Sequence, residues 1–168
     1  NELERIGKHI VAHCTYSNPI HFMGKEKELK ELLGDKYDKK ASRKENCNKF
    51  TDPLNWLVVA KKHPNLFIQL AHAGGQEQVI AWMKNTRNAN NVFYQILEIM
   101  KLVDNVGFDI LYTINDKRTW SAIKYVLTRP EYAYAHDRIF YGSDWWMTKN
   151  EVSESQVNMD FEGYLGTE

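Results

Sequence analysis

Three residues close apolar runs and carry groups fit for metal or proton chemistry. They are His13, His72 and Asp144, which end the runs at residues 9–13, 66–72 and 138–144. Imidazole and carboxylate are the donors a divalent metal recruits, and both carry protons in catalysis. Taken singly, a histidine at a strand end is more often hydrogen-bonded scaffold, and Gly142-Ser143-Asp144 is more often a turn. Three separate runs ending this way form a pattern, because the loops at strand carboxyl ends of parallel α/β folds converge on one face. The other histidines are weaker candidates. His63 and His136 precede strands and belong at the opposite end of a sheet, His9 opens the first run, and His21 is placed at a pocket rim at most. Tyr16, Trp145 and Trp146 follow strand ends, where pocket lining and core packing are equally open. Gly74-Gly75 before a helix could turn backbone N–H groups toward an anion, but no G-x-G-x-x-G or P-loop lysine accompanies them. Cys14 and Cys47 make no C-x-x-C pair and read as the reduced thiols of a cytoplasmic protein.

The elements that must position these residues follow from hydrophobic periodicity. A fourth apolar run at residues 108–113 joins the three above. Continuous rather than alternating apolarity predicts strands covered on both faces, as in a parallel sheet. Helices are expected between them. Asp52-Pro53 opens one that carries Leu54, Leu57 and Val58 and stops at His63-Pro64. Val79, Ile80 and Met83 mark a second; Phe93, Ile96, Leu97 and Met100 form the stripe of a third; Trp120, Ile123 and Leu127 mark a fourth. The alternation predicts an α/β architecture with a parallel sheet. Residues 24–50 break it. Lys25 to Leu33 could be a short charged helix with Leu29, Leu32 and Leu33 on one side, followed by a basic stretch from Lys36 to Lys49. Only Tyr37 interrupts that stretch with an aromatic ring, so a solvated loop insertion is expected rather than a nucleic-acid surface.

Composition agrees. The chain has 168 residues, 43% hydrophobic and 26% charged, which is globular rather than disordered or fibrous. Basic and acidic residues number 22 each, so no net charge draws the chain to nucleic acid or to an anionic membrane. No apolar run approaches the roughly 20 residues of a membrane span.

Ala12-His13-Cys14, Leu70-Ala71-His72-Ala73-Gly74-Gly75 and Arg138-Ile139-Phe140-Tyr141-Gly142-Ser143-Asp144-Trp145 together resemble the last three metal-site motifs of the amidohydrolase superfamily. The nearest branch is the amidohydrolase-related one, with its metal-dependent hydrolases and decarboxylases. The resemblance spans about residues 10–145, outside the 24–50 insertion. It implies a (β/α)8 barrel, with the four runs here as strands five to eight. It further implies that His13 ligates a divalent metal ion, with zinc the first expectation. His72 would be an acid/base or second metal ligand, and Asp144 a ligand that handles the proton of the activated water. The family's first-strand H-x-H pair and its fourth-strand ligand have no counterpart here. A full barrel typically needs about 250 residues. The expectation is therefore the C-terminal half of one barrel domain, part of an enzyme that cleaves a C–N or C–O bond of a small-molecule substrate.

Two alternatives stay open beside the hydrolase. One is a metal-dependent decarboxylase of the same family. The other is a non-catalytic barrel fragment that persists by pairing its open strand edges, for instance as a homo-oligomer. A weaker third is an open doubly wound domain that binds an anion at Gly74-Gly75.

Overall fold

Four short strands pair in chain order, all parallel: β1 (Ile10–His13), β2 (Ile68–Ala71), β3 (Val106–Asp109) and β4 (Ile139–Phe140). The structure, a computed structural model, describes residues 2–14, 22–142 and 153–166. A short helix α1 (Glu2–Arg5) precedes β1. Helices α2 (Glu26–Leu33), α3 (Arg43–Phe50) and α4 (Leu54–Lys62) lie between β1 and β2. α5 (Gln76–Lys84) and α6 (Val92–Leu102) join β2 to β3, and α7 (Trp120–Thr128) with a 3-10 segment (Pro130–Arg138) joins β3 to β4. α8 (Glu154–Gly166) follows. The chain is thus α/β with a four-stranded parallel sheet, as its periodicity predicts. Among the described residues no helix is long and apolar enough to cross a membrane.

The register separates two faces, because side chains alternate along a strand and paired residues of parallel strands share a side. Ala12, Leu70, Phe108 and Ile139 are register partners on one face, with Ile10, Ile68 and Val106 a step earlier. All seven join a single apolar core with residues of α4 to α8. Trp82 of α5 meets Phe93 of α6 edge-on at 5.1 Å, and Phe93 meets Phe108 of β3 at 5.4 Å, so the core runs from helix to sheet through edge-to-face rings. The other face carries Val11, His13, Gln69, Ala71, Gly107, Asp109 and Phe140, none of which belongs to that core. Val11 is 54% exposed there. Continuous apolarity predicts two covered faces: β3 is buried along its whole length, while β1 stays open on this face at Val11.

On the concave side of a barrel segment the sequence predicts Ile10, Ala12, Ile68 or their neighbours; Ile10, Ala12 and Ile68 lie on the helix-packed face, which leaves the other side to neighbours such as Val11 and Gln69. The amphipathic helices need an apolar surface to cover, and the large aliphatic residues of the strands supply it. α4 likewise turns Trp56, Leu57, Val59 and Ala60 to the core and leaves Leu54 and Val58 exposed. The 24–50 segment, expected as a loop insertion with a short charged helix over Lys25 to Leu33, holds that helix as α2 and a second, α3, with a small core of their own, Leu29, Leu33 and Cys47, against which Phe22 and Tyr37 pack. Ser42 and Glu45 form a capping box that starts α3. Leu32, expected beside Leu29 and Leu33, is 53% exposed.

Arg138 closes the far side of the sheet. Its guanidinium donates to the backbone carbonyls of Met100 (2.8 Å) and Val103 (2.7 Å), and to those of Val106 (3.1 Å) and Tyr134 (3.1 Å). The first two are carbonyls at the end of α6, which have no partner within their own helix. Arg138→Met keeps most of the aliphatic stem and removes every one of these donors. The expected loss is about 3 kcal/mol, seen as a lower urea midpoint at unchanged slope. A loss below about 1 kcal/mol would show that water satisfies these carbonyls equally well.

Candidate functional site

His13 and His72 meet at the carboxyl ends of adjacent strands. His13 is the last residue of β1 and His72 follows the last residue of β2. Their rings lie 4.7 Å apart, centroid to centroid, inclined at 59°. The parallel pairing of β1 with β2 brings them together from positions 59 residues apart in sequence, since His13 sits beside Ala71 in the register. Asp144, the third expected site residue, lies outside the described residues, as do His21, Tyr16, Trp145 and Trp146. His63 and His136 serve the scaffold: the His63 carbonyl accepts from Asn105, and a ring nitrogen of His136 bonds the Val126 carbonyl at 3.0 Å.

A carboxylate that the sequence did not single out organises the site. Asp109 ends β3 and is fully buried. Its Oδ1 accepts from the backbone N–H of His72 at 2.8 Å and of Leu111 at 3.2 Å, and its Oδ2 accepts from Gln69 Nε2 at 2.7 Å. The loops after β2 and β3 are joined again by Thr113 Oγ1, which donates to the His72 carbonyl at 2.8 Å, and by Gln76 Nε2, which donates to Tyr112 at 3.0 Å. The apolar run at 108–113 suggested a strand ending at Thr113, which hides Asp109 inside it. The strand in fact begins earlier, at Val106, and runs through Gly107. A Cβ at Gly107 would clash with the Arg138 carbonyl and stand 2.9 Å from the Phe140 ring, so glycine is required there. A lone acidic residue embedded among apolar neighbours was the available signal.

His72 is held in a conformation that non-glycine residues seldom adopt. Its φ is 62° and that of Ala73 is 50°, both in the left-handed region. The bonds to its N–H, its carbonyl and its ring hold it there. Gly74 continues the turn at φ 80°, and a Cβ on it would meet Val92 Cγ1 at 2.6 Å. The Gly75 N–H turns back to the His72 carbonyl at 2.7 Å, so this group is directed into its own turn, which weakens the anion-cradle alternative. The His72 ring places Nδ1 2.9 Å from the Leu111 carbonyl. A carbonyl only accepts, so Nδ1 carries a proton, and in the neutral ring Nε2 keeps the lone pair. That is the tautomer a metal-ligating or proton-accepting histidine uses through Nε2.

His13 also lines a cavity of about 590 Å³ between its strand end and α2, α3 and α4. Another cavity, of about 480 Å³ beside Phe67 and Asn105, holds none of the candidate residues. Among the described residues no group of three or more His, Cys, Asp or Glu side chains is arranged to hold a metal ion. Compared with known proteins, the chain matches no family model, no curated protein and no solved structure.

Two predictions follow from this geometry. Asp109→Ala leaves three buried donors without an acceptor and should cost about 3 kcal/mol or more in denaturant unfolding. Asp109→Asn should cost clearly less, because the Gln69 amide can turn over and accept. Equal losses would mean that the bonding pattern is unimportant. The second concerns Cys14, whose buried thiol points to the Ala71 carbonyl. Burial foremost, and then the Asp109 charge, push its pKa up from 9.0 to about 12. Between those values the unfolded chain has lost the proton and the folded chain keeps it. Stability therefore falls as pH rises through that window, by up to about 1.4 kcal/mol per pH unit. Cys14→Ala should flatten the decline measured from about pH 9 to 11, and an unchanged slope would refute this origin for it.

Proposed function

We propose that the chain belongs to a metal-dependent hydrolase of the amidohydrolase type, with its sheet the fifth-to-eighth-strand segment of a (β/α)8 barrel. The observation that carries this is the His13–His72 pair, two imidazoles 4.7 Å apart at the carboxyl ends of neighbouring parallel strands. The placement of helices supports it as well, since their core packs on one face and the chemistry stands with the other.

The donor set fits a divalent ion, with zinc favoured for its affinity for imidazole nitrogen and carboxylate oxygen. His13 would be one ligand. His72, its Nδ1 proton committed to Leu111, offers Nε2 either as a second ligand or as the group that gives a proton to the leaving atom. Asp144 would complete the set and accept the proton of the attacking water. When bound, the metal would lower the pKa of a coordinated water and polarise the C–N or C–O bond to be cleaved. Asp109 acts at one remove, holding the His72 turn through its backbone N–H.

The alternative is a scaffold: the family's first-strand H-x-H pair and fourth-strand ligand have no counterpart in this sequence, where a catalytic zinc site uses three protein ligands and an open position. Zinc titration by calorimetry decides between the two. The enzyme reading expects uptake near one ion per chain, weakened about tenfold or more by His13→Ala or by His72→Ala. No uptake, or uptake indifferent to both substitutions, favours the scaffold. In the active enzyme, Asp144→Asn should lower turnover by roughly 10²–10⁴-fold at unchanged stability, the range typical of a lost general base. Retained turnover would remove that role from Asp144.

A further inference from the structure

We propose that the 24–50 segment builds a substrate pocket beside His13, and that this pocket takes a small amphipathic anion, an apolar body ending in a carboxylate or phosphate. The proposal rests on the reading of His13 as part of the reaction centre and adds to it the chemical class of the substrate.

The walls of the 590 Å³ cavity are of two kinds. Leu32, Phe50, Trp56 and Val59 make an apolar side. Leu32 and Phe50 are 53% and 45% exposed and both line this one space, Phe50 held edge-on by Phe22 at 6.0 Å. Lys36 and Lys49 supply two ammonium groups against the single carboxylate of Asp35. The volume lies within the range of small-molecule sites.

The lysines are held rather than free to sweep through solvent. Lys36 Nζ donates to Asn55 Oδ1 at 2.7 Å, Asn55 Nδ2 donates to the Lys49 carbonyl at 3.1 Å, and Lys49 Nζ donates to the Lys36 carbonyl at 3.2 Å. These bonds link the turn after α2, the end of α3 and the start of α4. Each ammonium has three donors and spends one here, so both keep donors for an incoming anion. The framework beneath is ordered by its own core, Leu29, Leu33 and Cys47, and by the capping box at Ser42. Two point charges next to an apolar wall recognise a ligand with both characters, and a neutral analogue leaves the ammonium groups unmatched.

The test is calorimetry on the full chain in the presence of EDTA, so that anion binding and zinc uptake succeed or fail separately. The probes are 4-phenylbutyrate, phenyl phosphate and neutral 4-phenylbutanamide. At least one anion should bind about tenfold or more tightly than the amide, with the difference shrinking at high salt. The tighter anion identifies the head group. The double variant Lys36→Gln, Lys49→Gln should bring the anion's affinity down to that of the amide and leave the amide's unchanged, which also reports that the pocket is still folded. Phe50→Ala should weaken all three probes. Equal affinity of anions and amide, indifference to the double variant, or no binding of any probe overturns the proposal. If zinc is taken up while every probe fails, the pocket alone falls; if the probes bind as expected without zinc uptake, the metal reading alone falls.

Discussion

The site depends on one buried carboxylate. Asp109 has no exposed surface, and its two oxygens are filled by three donors, from His72, Leu111 and Gln69. Burying such a group is costly unless its lone pairs are matched, so the acid depends on these three donors. Because the donors come from β2 and from the loops after β2 and β3, the same bonds set the distance between those loops. The left-handed turn at His72 depends on that spacing. So does the bond from its ring to the Leu111 carbonyl, which chooses the tautomer. A conformation that costs a free residue on the order of 1–3 kcal/mol is held here by contacts on every side.

The sheet separates its helix-packed core from the histidine pair by parity. One set of alternating positions, Ala12, Leu70 and Phe108 among them, lies in the core with the helices. The other set brings His13, Gln69 and Asp109 to the opposite face, with Gly107 where two aromatic rings and a carbonyl approach most closely. A slip of one residue in any strand would exchange these sets, sending the carboxylate into the apolar core. Register is therefore specified from both faces at once. Arg138 reinforces it from the far end, binding the last carbonyls of α6 and that of Val106 at the start of β3.

The 24–50 insertion is a second, smaller unit set against the first. Its helices bury Leu29, Leu33 and Cys47 among themselves and leave other apolar side chains toward the cavity at His13. The first helix was legible over Lys25 to Leu33, but high charge kept α3 and the shared core out of view in the sequence. With so few apolar residues in the basic stretch from Lys36 to Lys49, periodicity cannot distinguish a short helix from a solvated loop.

Much of the scaffold was legible in the amino-acid order alone. The four apolar runs, the helices at residues 54–62, 76–84, 92–102 and 120–128, and the α/β alternation all follow from local periodicity, which acts over a few residues and needs no knowledge of neighbours. His13 and His72 could be proposed together because each stands at the end of its own run. The tertiary structure alone decided that their rings meet at 4.7 Å, since contact across 59 residues depends on the pairing of β1 with β2. It also decided that β3 ends at Asp109 rather than at Thr113, because pairing with β2 and β4 and the close approach over Gly107 set the strand's limits, not the apolar run. Which face of each strand the helices would cover was likewise open in the sequence. Alternation fixes that two faces exist, and only packing determines which one is buried.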